Sequence, residues 1–474
     1  MQNGDSTASL AAFQTSHGLE MRGNLLRFTR YLAVVELCVP GSVFQTSEML
    51  GDFRILCAER VLYSGRATVK DVVNTGLVTL LELTLGDGWL DIDFCISLGT
   101  ADKLGPQFQS FVAEWQKVYR VTPEYKVAVA DLQTFLTDAR LWLEQVELGI
   151  RSSPSEDRAW LEQQAARQLE RAVVPAISDL FERFELVAQR VPEELQPAHR
   201  AFAKRQVHPL LLSSPFVYRT FAKPLGYAGD YEMINMMFRE PYEGGSLFGK
   251  LINAYALQLP PIVAHRNRIQ YLVGRLTEET CRVSVEQRQA RVFSLGCGPA
   301  QEVQQFLELD GLGRRASFTL LDFNDETLAY TQNRLNALAR SRAAMGVHLV
   351  KKSVQQLLKQ AERTVHYAPA DQFDFVYCAG LFDYLSDRVC AKLIGVLYDM
   401  LAPKGLLLVT NVDQHPSRGE MECFLEWHLV YRNTQELLRL VPSHVPPDAV
   451  RTKRDLTGVN IFLELRKPQN GAAA

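Results

Sequence analysis

The chain has no excess of either charge: 51 Lys and Arg stand against 54 Asp and Glu, for a net charge of −3. Phosphate backbones are bound by basic faces, so bulk charge gives no reason to expect a nucleic-acid partner. None of the eight cysteines (Cys38, Cys57, Cys95, Cys281, Cys297, Cys378, Cys390 and Cys423) belongs to a CxxC pair. That spacing excludes a zinc knuckle or a dithiol redox motif, and no metal site is expected. No apolar run approaches the ~20 residues that cross a bilayer, so stable membrane insertion is not expected. Residues 1–20 carry no basic stretch leading into an apolar one, which speaks against a secretory leader. A cytoplasmic protein with mostly buried, reduced thiols is the expectation.

What is present is ordinary globular material, 474 residues at 47% hydrophobic and 22% charged, enough for about three domains. Residues 1–24 are rich in Ser, Thr, Gln and Gly and read as a loose tail. Over 25–98, Tyr31–Val39, Phe53–Tyr63, Gly65–Val69 and Leu77–Leu85 are short apolar stretches broken by turn residues, which predicts a small β-barrel. Residues 99–215 turn helical. Leu132, Phe135, Leu136, Ala139, Leu143 and Val146 share one helix face, as do Leu161, Ala165, Leu169, Ala172, Leu180, Phe184 and Val187. These stripes suit core packing or the contacts of a homodimer, and Pro192 and Pro197 end the unit.

Residues 216–290 form a segment dense in aromatics, glycine and charge, read as substrate-binding or lid. In it, Glu243-Gly244-Gly245-Ser246 would allow a mobile lid. From 291 to 468, strands at Val292–Leu295, Phe318–Asp322, Val347–Lys351, Phe373–Cys378, Leu406–Asn411 and Val459–Arg466 alternate with helical stretches. That alternation is the pattern of an α/β sheet covered on both faces.

The first of these strands runs into Gly296-Cys297-Gly298-Pro299-Ala300-Gln301-Glu302, where glycine lets the backbone approach a ligand. Asp322 ends the next strand 24 residues beyond Gly298, where a carboxylate can accept from both ribose hydroxyls of an adenosine cofactor. A dinucleotide site wants a third glycine, and pyrophosphate at the helix start. Here Gln301 holds that place and Glu302 follows, an acid that repels pyrophosphate but tolerates S-adenosylmethionine (SAM).

Asp374–Leu385 and Leu401–Val409 resemble the fourth strand, turn and fifth strand of class I SAM-dependent methyltransferases, over roughly residues 260–467. The resemblance implies a Rossmann-like domain in which Gly296 and Gly298, with Gln301 and Glu302, approach the methionine part. Asp322 would hold the ribose and Phe323 would lie near adenine. Ser353 and Val354 would line the adenine pocket, where many relatives carry an acid, and Ala379 and Gly380 would sit beside methionine. Arg266, ahead of the first strand, would meet the cofactor's carboxylate.

Lys223–Glu232 (KPLGYAGDYE), together with Asn411-Val412-Asp413 and Trp427–Arg432, resembles the bacterial 3-hydroxypalmitic acid methyl ester synthases. These are carboxyl methyltransferases that make a quorum-sensing ester. A fatty carboxylate is already nucleophilic at neutral pH and needs orientation rather than a base. Tyr227, His415, Tyr431 and Arg432 are the candidate catalytic donors, with Asp230, Tyr384 and Trp427 as further substrate contacts. Other acceptors at O, N or S remain open, as does a sensor that binds SAM or a cyclic dinucleotide without turnover.

Leu25–Asp93 resembles a PilZ-type barrel, whose arginines and D/NxSxxG turn bind cyclic di-GMP. Here Arg27 and Arg30 stand one residue too close, and Val73 replaces the hydroxyl in Asp71–Gly76. Losing those phosphate contacts implies a degenerate scaffold that does not bind cyclic di-GMP.

Overall fold

A computed structural model describes residues 9–38, 43–57, 60–74, 78–86, 104–116, 120–154, 157–309, 311–342, 346–362 and 367–469. The chain opens with seven antiparallel strands: β1 (Ser9–Gln14), β2 (Glu20–Phe28), β3 (Leu32–Leu37), β4 (Met49–Cys57), β5 (Arg60–Ser64), β6 (Ala67–Asn74) and β7 (Thr79–Leu85). Their order is β1-β2-β3-β7-β6-β4-β5, and β4 also pairs with β1, which closes the barrel. Period-two alternation sends Ala33, Val35, Leu37, Leu81, Leu83 and Leu85 inward around Phe13 and Phe53.

The barrel therefore begins at Ser9, and the tail expected through residue 24 is corrected for everything from there on. Gln14 of β1 and Glu20, Arg22 and Asn24 of β2 are exposed and disguise strands whose inward residues include Ala11 and Phe13. Phe53–Tyr63 is two strands, not one. The turn at Thr75-Gly76 and the expected boundary at 98 lie outside the described residues.

The middle of the chain is helical: α1 (Leu104–Glu114), α2 (Pro123–Arg151), α3 (Arg158–Ala188), α4 (Gln196–Leu211), α5 (Pro215–Ala222), α6 (Tyr231–Met236), α7 (Leu247–Ala256) and α8 (Pro260–Ser284). Leu132, Leu136 and Leu143 of α2 are buried as expected. On α3 the buried row is Ala166, Val174, Ile177, Phe181 and Phe184, turned from the expected stripe, and Ala172 is exposed. Both rows pack within the chain, against α7 and Phe424. Pro197 opens α4 rather than ending a helix, since the first turn needs no N–H from it. The Glu243–Ser246 segment is fastened: Ser246 caps α7, and the Leu247 N–H donates to Glu147. Within it, a Cβ on Gly244 would meet the Lys250 backbone at 2.8 Å.

The last unit runs β8 (Ala290–Leu295), α9 (Gln301–Glu308), β9 (Ala316–Asp322), α10 (Asp325–Arg342), β10 (Gly346–Lys351), α11 (Val354–Ala361), β11 (Phe373–Cys378), α12 (Asp387–Asp399), β12 (Leu401–Val412), α13 (Thr434–Leu438), β13 (Val450–Arg454) and β14 (Asn460–Arg466). Strand order is β10-β9-β8-β11-β12-β14-β13, parallel except where β14 runs against β12 and β13. The order reverses between β8 and β11, so the crevice of this doubly wound sheet opens over their carboxyl ends. The expected six strands are present, and the polar edge strand β13 is an addition.

Among the described residues no helix is long and apolar enough to cross a membrane. Cys297, Cys378, Cys390 and Cys423 are buried, whereas Cys38 and Cys281 are exposed.

Glu426 joins the three units. Its carboxylate, 4% exposed, accepts from Arg66 Nε (3.1 Å) and Thr68 Oγ1 (3.2 Å) of the barrel and from Lys204 Nζ (2.7 Å) of α4. Burial alone would raise its pKa, but Lys204 and Arg66 hold it far below the usual carboxylate range. A depressed folded-state pKa adds stability above the unfolded value of about 4.3, and that stability is lost as pH falls below it. Glu426→Gln leaves buried cations without their counter-charge and is expected to cost about 3 kcal/mol at pH 7 in urea unfolding. The difference should shrink in acid; an unchanged midpoint at pH 7 would contradict the role.

Candidate functional site

At the end of β8 the chain turns through Gly296 (φ 69°) and Gly298 (φ 51°), conformations that favour glycine. The last residue of β9, Asp322, is 7% exposed and organises this turn. Its Oδ2 accepts from the Gly298 N–H (3.1 Å) and its Oδ1 from the Asn324 N–H (3.0 Å). Burial raises the Asp322 pKa, and these backbone donors pull it back. Glu302, in the first turn of α9, is also buried and accepts from the Tyr377 hydroxyl at 2.7 Å. Burial raises its pKa.

Across the crevice lies Arg268 of α8, 5% exposed. Its Nη1 stands 3.8 Å from Asp383 Oδ2, while Nε and Nη1 have no hydrogen-bond acceptor. The guanidinium lies against Gly380 (φ 91°), where a Cβ would fall 2.8 Å from Nη2. Asp383 is fixed by the Val412 N–H (2.7 Å), and burial pushes its pKa up to about 6 against the pull of Arg268. Buried donors without acceptors, facing a cavity, are the complement of an anionic group.

The cavity between these groups measures about 630 Å³. Gly296, Gly298, Gln301, Glu302, Asp322, Phe323, Ser353, Val354, Ala379 and Gly380 all line it, as do Tyr227 and Tyr384. Ser353 also caps α11 in a reciprocal bond pair with Gln356. The Tyr227 ring packs on Phe323 at 5.1 Å, and its hydroxyl lies 3.4 Å from Thr327 Oγ1. Tyr384 accepts from Trp427 Nε1 at 2.9 Å and keeps its own proton to donate. Burial raises both tyrosine pKa values, so both stay protonated donors.

Other expected residues stand elsewhere. Arg266 donates to the carbonyls of Leu257 (2.9 Å) and Met237 (3.4 Å) and does not line the cavity; Arg268, two residues further round the helix, does. Asp230 caps α6 through the Met233 N–H and pairs with Arg219 Nε at 2.9 Å. Trp427 is fully buried behind Tyr384.

Arg432 is neither on a helix nor free for a substrate. It binds Asp387 (2.8 Å), Asn411 (2.7 Å) and the carbonyls of Phe382 (2.9 Å) and Leu385 (2.6 Å). His415 and Tyr431 pair their rings at 5.6 Å outside this cavity. His415 faces a second space of about 640 Å³ beside Glu185 and Glu422, and burial lowers its pKa to about 4.

Arg268 and His265 are among the cavity residues that escaped the sequence reading. Arg268 interrupts the buried row Ala264, Leu272, Leu276 on α8, and a charge in such a row is the signal that could have found it. His265, one turn before Arg268, bonds the Pro261 carbonyl through Nδ1 (3.1 Å) and is kept neutral by burial and by Arg268.

No family model and no curated protein matches the chain. Among solved structures it is similar to a possible exported protein from Bordetella parapertussis, at 16% identity and TM-score 0.41, covering 67% of this chain and 99% of that one. It is also similar to magnesium protoporphyrin IX methyltransferase from Synechocystis with bound SAM, at 10% identity and TM-score 0.32, covering 49% and 89%. A third is the N-methyltransferase NodS from Bradyrhizobium japonicum, at 14% identity and TM-score 0.27, covering 41% and 95%.

Gly380→Ala forces a left-handed alanine against the Arg268 guanidinium. It is expected to lower stability by at least about 1–2 kcal/mol in urea unfolding. Wild-type stability in this variant would contradict the packing.

Proposed function

We propose that the chain is a SAM-dependent methyltransferase that esterifies the carboxylate of a fatty or 3-hydroxy fatty acid. The observation that carries the reading is the pairing, in one cavity, of the strand-end carboxylate Asp322 with the buried, under-paired guanidinium of Arg268. Asp322 would accept from the ribose hydroxyls, and Arg268 would take the amino-acid carboxylate beside Gly380. Glu302 in the first turn of α9 disfavours a pyrophosphate there, which separates SAM from a dinucleotide.

Bound SAM supplies a methyl group on a sulfonium, open to in-line displacement. The protein must hold the acceptor oxygen on that line and keep water out, an effect worth ~7–11 kcal/mol. Protonated Tyr227 and Tyr384 suit this task toward a carboxylate: they orient it by hydrogen bonds without the ion pair that would blunt its lone pairs. A second reading, methylation of another small molecule at O, N or S, draws on His265. A neutral imidazole in the cavity can accept a hydrogen bond from an acceptor that still carries its proton.

Calorimetry with SAM and S-adenosylhomocysteine tests the cofactor. Wild-type protein is expected to bind both, and Asp322→Ala to lose at least about 100-fold in affinity, the low end of the value of two hydrogen bonds to a charged group. Equal affinity in the variant would remove Asp322 from the ribose, and preferential binding of NAD would overturn the cofactor assignment.

A further inference from the structure

The barrel reaches into the cavity. Ser16, His17 and Leu19 of the β1–β2 turn, and Val43 and Gln45 between β3 and β4, form part of its wall. Bonds within the turn and from the next loop hold it in place. Internally, the Thr15 N–H reaches the Leu19 carbonyl and the Gly18 N–H (φ 76°) reaches the Thr15 carbonyl, each at 2.9 Å. From the next loop Glu48, 2% exposed, accepts from the Ser16 N–H (2.9 Å) and hydroxyl (2.8 Å).

The same loop is tied to the rest of the cavity, Met49 N–H to the Gly226 carbonyl at 2.7 Å and Thr46 N–H to the Tyr384 carbonyl at 3.2 Å. Ser16 sits so near Gly226 (φ 84°) that a Cβ there would lie 3.1 Å from the serine Cβ. This scaffold presents the His17 ring edge-on to Phe323, centroids 4.5 Å apart and planes at 68°. Phe323 directly follows Asp322 and carries Tyr227 as well, so three rings meet next to the ribose position.

We propose that the β1–β2 turn completes the cofactor site, with His17 as a nucleoside-binding residue that closes over the base beside Phe323. The inference rests on the SAM reading of the cavity and adds a binding role for the barrel. A turn pinned by Glu48 is pre-organised, so ordering it costs little when the nucleoside arrives. Binding and barrel docking are then linked, and each strengthens the other.

The test uses the full-length chain, S-adenosylhomocysteine and adenosine as probes, and His17→Ala and His17→Phe as variants. His17 is exposed, so neither substitution is expected to shift thermal unfolding. His17→Ala should weaken both probes about five-fold, as loss of one aromatic contact does, and His17→Phe should restore most of that. Hydrogen exchange should show the amides of Ser16–Leu19 slowed by S-adenosylhomocysteine in wild type. Unchanged affinities in His17→Ala, or exchange at Ser16–Leu19 indifferent to the probe, would overturn the role of the turn while leaving the cofactor assignment in place. Wild-type protein that binds neither probe would overturn the cofactor assignment and this inference with it.

Discussion

A guanidinium that cannot shed its charge is buried at Arg268, and much of the α/β unit is arranged around that constraint. Gly380 has φ 91°, a conformation that favours glycine, and the cation lies where a side chain there would begin. Asp383 supplies the counter-charge, at a separation that leaves donors on the guanidinium unused. The loop carrying Asp383 is in turn held by Arg432, whose bonds to Phe382, Leu385 and Asp387 bracket it. Arg432 thus braces the loop that carries Asp383 and does not itself line the cavity. A fold keeps such an arrangement at a cost in stability, and the unused donors give that cost a purpose if an anion completes the pairing.

The second organising interaction lies at the seam. Glu426 gathers Arg66 and Thr68 from the barrel and Lys204 from α4 around one carboxylate. Lys223, fully within the seam, donates to the Leu425 carbonyl at 3.2 Å, and burial lowers its pKa to about 7. The motif that drew attention in the sequence, Lys223–Glu232, therefore has two jobs. Its first residue fastens the seam, while Tyr227 and Gly229 face the cavity. Because the seam sets where the barrel sits, it also sets where His17 meets Phe323.

The sequence was most legible where function depends on neighbours along the chain. Asp322 and Gly298 are joined by adjacent parallel strands, so their relation follows from strand order and spacing, and the hydrogen bond between them realises it. Arg266 and Arg268 could not be told apart that way, since the choice depends on how α8 is rotated against the sheet. The stretch around His415, Tyr431 and Arg432 looked functional because it offers a cation and hydrogen-bond donors that could orient a carboxylate. Its location is decided by the packing of Phe424 and Trp427 against α3 and α8, a long-range matter. β1 was hidden by its small residues, β2 by the charged residues on its exposed face, and β13 by being a short polar edge. The barrel's share in the cavity left no local trace at all.

Transfer of label from deuteromethyl-SAM to a panel of fatty and 3-hydroxy fatty acids, read by mass spectrometry before and after mild saponification, tests the central claim most directly. The account predicts a labelled product in which the label is lost on saponification, as a methyl ester requires. A label that survives saponification would contradict the carboxylate acceptor, and no labelled acid from protein that binds SAM would contradict methyl transfer to this class of substrate.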